Sequence, residues 1–360
     1  MGVCRKIMML AVAALLWCCN GEDTLLDQYP MEPIVNPEVG ALLAGDGIIH
    51  VDFNGRQRMA GIAATGVFDT DDGFRSLHFD PQPWQAADGL VAFGEGVVAH
   101  IQTTDGSSAL QYTVDRGKTW IVYDGAIVDE AAFAAGTLTP VKLSVVEERT
   151  VWILWRQGSG MDGRTLLYRV DLESGQHALV MEKEGVTALT FDVADPQHGW
   201  VLYSESGERA SRVHVLRTVD GGVTWSEGAV LDGVSRPTVV PITAEKLLVY
   251  GGRGAAYHSS DGGLSFEPVT IGEGVMACAA ASPGVVYAVL QRGVVKSVDG
   301  GRTWEALDTF VHGVEVSGTA LDFQDERSGI VYGADRLFIT GNGGQSWDVL
   351  VYPYDYVFED

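Results

Sequence analysis

The sequence predicts an all-β fold, and three observations carry the prediction. From about residue 46 the chain is a succession of short runs rich in Val, Ile, Leu, Tyr and Trp, broken every eight to twelve residues by Gly, Asp or Ser, the punctuation of strands and hairpins. TVWILWRQG (150–158), HGWVLYSES (198–206), EKLLVYGGRG (245–254) and GVVYAVLQRG (284–293) are examples. Second, no window of fifteen residues carries a helical period apart from the apolar N-terminal stretch and, weakly, DEAAFAAGTL at 129–138. Third, one turn sequence recurs at a near-constant interval, and an element that repeats at a fixed period belongs to architecture, whereas a catalytic loop usually occurs once.

That turn reads Ser/Thr-x-Asp-x-Gly-x-Thr/Ser-aromatic. Copies are TVDRGKTW (113–120), TVDGGVTW (218–225), SSDGGLSF (259–266), SVDGGRTW (297–304) and TGNGGQSW (340–347). A worn copy, TDDGFRSL (70–77), keeps Thr70, Asp72 and Ser76 but has Phe74 for the Gly and Leu77 for the aromatic. Folding alone accounts for each residue type. Asp72, Asp115, Asp220, Asp261 and Asp299 are placed to accept backbone N–H groups at a tight hairpin corner, and Asn342 can do so without charge. Gly117, Gly222, Gly263, Gly301 and Gly344 supply the left-handed conformation such a hairpin requires. Trp120, Trp225, Phe266, Trp304 and Trp347 turn back into the sheet stack, where burying a large aromatic contributes roughly 1.5–3 kcal/mol. A calcium loop needs several oxygens converging on one centre, and each copy offers one carboxylate followed by glycine.

The unit around the turn is four strands long. In 275–308 the run VMACAAAS supplies a small-residue strand for a crowded centre, GVVYAVLQ a buried one, Val294–Lys296 a third, and a last strand opens at Trp304. Four short antiparallel strands per unit make a propeller blade. The turn positions 72, 115, 220, 261, 299 and 342 are spaced by 43, 105, 41, 38 and 43 residues. The interval of 105 holds an extra unit around LLYRVDLESGQHAL (166–179), whose turn lacks the box. The expectation is a seven-bladed β-propeller of four-stranded antiparallel blades over 46–360.

Before it, MGVCRKIMMLAVAALLWCCN joins the basic pair Arg5 and Lys6 to a thirteen-residue apolar run, too short for a membrane span and suited to an export signal. It resembles a bacterial lipoprotein signal, which implies acylation of Cys19, with Cys18 as the alternative, and an envelope protein of the periplasm or cell surface. An ordinary secretory signal with incidental cysteines is the competing reading. The expected division is 1–19 signal, 20–45 tether and 46–360 propeller; the tether holds three of the twelve prolines. Cys278, in an apolar strand, reads as an inert core thiol.

The formal net charge of −24 becomes −26 once a leader carrying Arg5 and Lys6 and no acid is removed. Such a surface repels phosphate backbones, which sets nucleic acid aside as a partner. Solubility in an exported or salty setting and a docking face for a basic protein or cation both account for the excess. The eight histidines show no metal-ligand spacing, and neither metal nor cofactor is expected. Trp152 and Trp155 fall three apart in one strand, so they face opposite sides; one is assigned to the core and the other to a blade edge or ring face, with a sugar-stacking platform as the alternative. The tail VYPYDYVFED (351–360) is assigned to the last blade or its edge.

The repeated turn resembles the Asp-box, or bacterial neuraminidase, repeat. GVVYAVLQRGVVKSVDGGRTW and SGIVYGADRLFITGNGGQSW further resemble the photosystem II stability/assembly factor-like propellers, and sortilin-type propellers share the repeat. The assembly-factor resemblance implies a non-catalytic ring that grips another polypeptide; the basic patch of its photosynthetic members is hard to match with 24 basic residues against 48 acids, a monomer is expected, and carbohydrate stands as an alternative ligand. The repeat also occurs in sialidases, where it would imply three arginines clamping a carboxylate, a Tyr–Glu nucleophile and an Asp acid/base. The Arg-Ile-Pro signature of that family is missing: Arg56 and Arg58 precede the first box without Ile-Pro, and the one Arg-Pro, at Arg236, follows the second good box.

Overall fold

The computed structural model describes residues 48–53, 59–63, 66–72, 76–81, 91–94, 97–104, 107–115, 119–123, 138–147, 149–158, 163–205, 212–252, 254–311, 314–333 and 336–351. The chain divides into units Met1–Glu32 and Pro33–Asp360, and all of these residues belong to the second. The leader, the tether, Cys18, Cys19, Arg56, Arg58, Phe74, Gly117, the segment 129–137 and the tail after Val351 lie outside the described residues.

Among the described residues seven four-stranded sheets follow one another along the chain, every pairing antiparallel and every strand beside its sequence neighbour. The first holds β1 (Ile48–Phe53), β2 (Met59–Ala63), β3 (Gly66–Thr70) and β4 (His78–Pro81); the second β5 (Val91–Gly94), β6 (Val97–Thr104), β7 (Ser107–Thr113) and β8 (Ile121–Val122). The third holds β9 (Leu138–Val146), β10 (Thr150–Gln157), β11 (Arg164–Asp171) and β12 (Gln176–Glu184); the fourth β13 (Val186–Val193), β14 (Gly199–Glu205), β15 (Arg212–Thr218) and β16 (Ser226–Asp232). The fifth holds β17 (Ser235–Pro241), β18 (Leu247–Gly252), β19 (Ala256–Ser259) and β20 (Glu267–Pro268); the sixth β21 (Val275–Ala280), β22 (Val286–Leu290), β23 (Val294–Ser297) and β24 (Glu305–Ala306). A separate hairpin, β25 (Phe310–Val311) with β26 (Val314–Glu315), precedes the seventh sheet of β27 (Ala320–Phe323), β28 (Gly329–Tyr332), β29 (Arg336–Thr340) and β30 (Asp348–Val351).

Burial explains why the second strand of a unit reads as continuous apolar sequence. β18 and β28 are buried along four consecutive residues and β14 along five, because each sheet is covered on both faces by its neighbours and neither side of a middle strand meets water. Outer strands such as β20 and β24 are exposed. The small residues of β21 sit where first strands crowd together. Each first strand contacts the next: β1 with β5, β5 with β9, β9 with β13, β13 with β17, β17 with β21, β21 with β27, and β27 with β1. The order of contacts is therefore cyclic.

The core is a series of inter-sheet seams. Ile101 and Leu110 of the second sheet meet Ile153 and Trp155 of the third; Trp152 and Leu154, on the other face of β10, meet Phe191 and Val201 of the fourth. Further seams join the fourth to the fifth, the fifth to the sixth and the sixth to the seventh. This corrects one expectation. Trp152 and Trp155 do point to opposite faces, but both faces of the sheet are core, and each indole is 1% exposed. Neither forms a sugar platform. Cys278 is half-buried against the fifth–sixth seam, and burial pushes its thiol pKa up, the behaviour of an inert thiol.

Candidate functional site

At the hairpin joining the third and fourth strands of six sheets the same side-chain corner is built. Each third strand ends at the Ser/Thr that opens the corner, opposite the opening residues of the second strand: Met59 with Thr70, Val98 with Thr113, Gly199 with Thr218, Leu247 with Ser259, Val286 with Ser297 and Gly329 with Thr340. In the fourth sheet Thr218 donates its hydroxyl to Asp220 Oδ1 (2.9 Å), Thr224 N–H donates to the same oxygen (2.9 Å), and the Thr224 hydroxyl donates to Oδ2 (2.6 Å). The Thr218 hydroxyl accepts from Gly222 N–H at 2.8 Å. Asp261 and Asp299 repeat the set with Ser259, Ser265, Ser297 and Thr303. Asp115 does so with Thr113 and Thr119, and Asp72 with Thr70 and Ser76, so the worn copy keeps the bonds. Asn342 accepts from Thr340 and Ser346 N–H, while its amide donates to the Ser346 hydroxyl.

Two glycines, not one, take positive φ in the described corners: Gly221 and Gly222 at 72° and 86°, Gly300 and Gly301 at 76° and 95°. The Gly-Gly pair of four copies was the sequence signal for this. The aromatics that follow pack against the inter-sheet seams, Trp347 fully and Trp225, Phe266 and Trp304 in part, while Trp120 is half-buried. Each carboxylate uses its acceptors inside its own corner. Although burial opposes it, these hydrogen bonds hold Asp261 and Asp299 down to about 2, and at Asp220 the Thr224 hydroxyl leads a shift in the same direction. Among the described residues no group of three His, Cys, Asp or Glu could hold a metal ion.

The corners also tie sheets together, which the sequence did not disclose. Arg169 of the third sheet donates to the Gly221 carbonyl of the fourth (2.7 Å), and Arg217 of the fourth to the Asp261 (2.9 Å) and Gly262 (3.2 Å) carbonyls of the fifth. Trp200 Nε1 adds a second donor to Gly262 at 2.8 Å. Tyr287 of the sixth sheet donates to the Gly343 carbonyl of the seventh (3.2 Å). Tyr112 reaches the Leu172 carbonyl in the boxless turn of the third sheet at 3.5 Å. That turn is built on Asp171, which accepts from Glu173 N–H and Ser174 N–H.

Among the described residues Tyr203 and Glu227 form a Tyr–Glu pair of the kind a sialidase reading would need, and its surroundings speak for structure. The buried Tyr203 donates to Glu227 (3.0 and 3.2 Å), Lys183 of the third sheet donates to Glu227 (2.9 Å), and the Lys183 ammonium lies 4.4 Å from the Tyr203 ring. His214 stacks on Tyr203 with ring centroids 5.1 Å apart. Burial pushes Tyr203 up; at Glu227 burial pushes the same way but is outweighed by the hydrogen bonds from Lys183 and Tyr203, which hold it below its ordinary value. A raised phenol beside an ion-paired carboxylate is a poor nucleophile. Arg149, Arg164, Arg169 and Arg217 serve hairpin carboxylates or carbonyls at separate places and share no acceptor.

Comparison with known proteins bears on the fold. No family model matches the chain, and no curated protein matches it. Among solved structures, YCF48 bound to a D1 peptide has a TM-score of 0.55 at 16% identity, over 91% of this chain and 96% of that one. The fold is a β-propeller scaffold. YCF48 from Cyanidioschyzon merolae is similar to this propeller with a TM-score of 0.51 at 12% identity, over 84% of this chain and 95% of that one. A puromycin hydrolase mutant reaches 0.58 at 12% identity over 92% of this chain and 56% of that one. Propellers like this one therefore occur in hydrolases as well.

Proposed function

We propose that this chain is a non-catalytic, seven-bladed Asp-box propeller that binds another protein as a scaffold or assembly factor, held at the bacterial envelope by a lipid on Cys19 or, failing that, Cys18. The observation that carries the reading is the use of the repeated residues. All six corners turn their carboxylate or amide onto their own hydroxyls and backbone N–H groups, so the repeat builds a rigid ring and leaves binding to its other surfaces. Seven sheets in cyclic contact support the blade number, and likeness to a YCF48 bound to a D1 peptide, covering nearly the whole of both chains, supports a polypeptide partner. The acidic excess fits a partner carrying basic residues.

Cross-linking in intact cells followed by mass spectrometry is expected to capture one dominant envelope protein, and labelled palmitate to attach to the wild-type chain but not to Cys19→Ser. Hydrolysis of a fluorogenic sialoside by the purified protein, lost on arginine substitution, would overturn the non-catalytic reading. Export without palmitate incorporation would overturn the anchor.

A further inference from the structure

The seventh corner departs from the other five in one group: its acceptor is a carboxamide, Asn342, where they carry a carboxylate, and Gly343 follows it. Asn-Gly is the pair most open to succinimide formation, because glycine has no side chain to shield its nitrogen. Glycine is also required at this position. Its φ is +74°, and the Glu326 carbonyl oxygen stands 2.8 Å from where a Cβ would be. The backbone of the corner thus places a reactive pair in the chain.

The folded corner engages both reactants. Asn342 Oδ1 accepts from the Thr340 hydroxyl (3.0 Å) and Ser346 N–H (2.9 Å), and Nδ2 donates to the Ser346 hydroxyl (2.8 Å), so the carboxamide is held against turning toward the main chain. The attacking nitrogen is engaged as well. Gly343 N–H donates to the Arg327 carbonyl at 2.7 Å, and Tyr287 of the sixth sheet holds the Gly343 carbonyl at 3.2 Å. Gly221, Gly262 and Gly300 make the same N–H bond, to the Gln197, Glu245 and Gly284 carbonyls, but they follow aspartates. An ionised carboxylate is a poor electrophile, and Asp261 and Asp299 stay ionised down to about 2. The seventh corner has its hydrogen bonds alone for protection.

We propose that Asn342–Gly343 is a latent modification site, closed while the seventh corner is formed and converted when that corner opens. In the open corner the Gly343 nitrogen gives its proton to solvent base and attacks Asn342 Cγ. The N–Cγ bond forms, the Cγ–Nδ2 bond breaks, and Nδ2 leaves as ammonia with a proton from water. A second water then opens the five-membered imide. Cleavage between N and Cγ gives aspartate, the residue of the other five corners. Cleavage between N and the backbone carbonyl carbon of residue 342 gives isoaspartate and lengthens the main chain by one carbon. No oxidation or reduction occurs, and water is the sole co-reactant. The aspartate product can rebuild the corner with the bonds seen at Asp299. A main chain longer by one carbon cannot keep Gly343 on Arg327 and Ser346 on residue 342 at once.

The test holds the full chain at neutral pH and follows residue 342 by peptide mass spectrometry, with fragmentation that separates aspartate from isoaspartate, beside amide exchange at Gly343. Conversion is expected to be at least about tenfold faster in unfolding urea than in buffer. Across sub-denaturing urea, conversion and Gly343 exchange are expected to rise together, because both need the bond to Arg327 broken. Tyr287→Phe, which removes a bond to the Gly343 carbonyl, is expected to raise both rates. Converted chain, isolated by its added charge, is expected to keep exchange protection in β27–β30 when it carries aspartate, as Asn342→Asp does, and to lose it when it carries isoaspartate. Asn54–Gly55, in the same chain, is the reference for the chemistry. Conversion at residue 342 as fast in buffer as in urea would overturn the inference. So would conversion at Asn54 in urea with none at Asn342, or a rise in Gly343 exchange that leaves conversion unmoved.

Discussion

Within one corner, the buried hydroxyl matters more than the exposed carboxylate. Ser297 is 1% exposed and accepts from Gly301 N–H at 2.8 Å while donating to Asp299. Ser297→Ala leaves a buried N–H without its acceptor and is expected to cost about 1–3 kcal/mol in denaturant unfolding. Asp299 and Asp261 act on acid stability. Both are held at about 2 against an ordinary 3.8, so their contribution is complete above the unfolded value and is lost as pH falls through the folded one. The unfolding midpoint should therefore fall between about pH 4 and pH 2. Asp261→Asn with Asp299→Asn should flatten that limb, since Asn342 already keeps the two Oδ1 bonds without a charge; an unchanged acid limb in the double variant would contradict the assignment.

The corner as an element has a conformational and a packing requirement that can be separated. Gly175, in the boxless turn, has φ +66° with nothing near its missing Cβ, so Gly175→Ala is expected to cost only the left-handed backbone term of roughly 1–2 kcal/mol. Gly301 has φ +95° and Leu248 side-chain carbon 2.9 Å from that Cβ, so Gly301→Ala should lower the thermal midpoint distinctly further, because a packed inter-sheet seam must also give way. Equal losses in the two variants would mean that the seam contact carries nothing. The corner itself was legible in the sequence because its chemistry is local: hydroxyl, carboxylate and glycines lie within seven residues of one another, and so do most of the bonds they make. The four strands of the sixth sheet were legible for the same reason. What was not legible depends on neighbours distant in sequence. Arg217 and the Gly262 carbonyl are 45 residues apart, and a backbone acceptor leaves no mark in the sequence. The exposure expected for one of Trp152 and Trp155 failed because alternation reports which face a residue takes, while only the packing of the next sheet decides whether that face is wet.

For the whole molecule the question is how the cycle of sheets stays closed. Among the described residues each sheet is made from one contiguous stretch, so no strand from one end of the chain completes a sheet at the other. Closure then depends on packing between the seventh sheet and the first, where β27 meets β1. Elsewhere donors from one sheet reach the next sheet's turn, from Tyr112, Arg169, Arg217 and Tyr287. At the position equivalent to Arg217, the residue before the corner Ser/Thr, β29 of the last sheet carries Ile339, which has no side-chain donor to offer the first sheet's turn. The seam between the last and first sheets is thus the expected site of sub-global opening. In native-state hydrogen exchange at rising denaturant, β1–β4 and β27–β30 should exchange together and at lower free energy than β13–β24. Added salt should raise that opening energy, because a chain of net charge −24 repels itself across any gap. Arg217→Ala should bring β17–β20 toward the level of the seam sheets while leaving β9–β12 unchanged. Uniform exchange across all seven sheets, before and after that substitution, would show that the donors contribute no closure and that packing alone holds the sheets together.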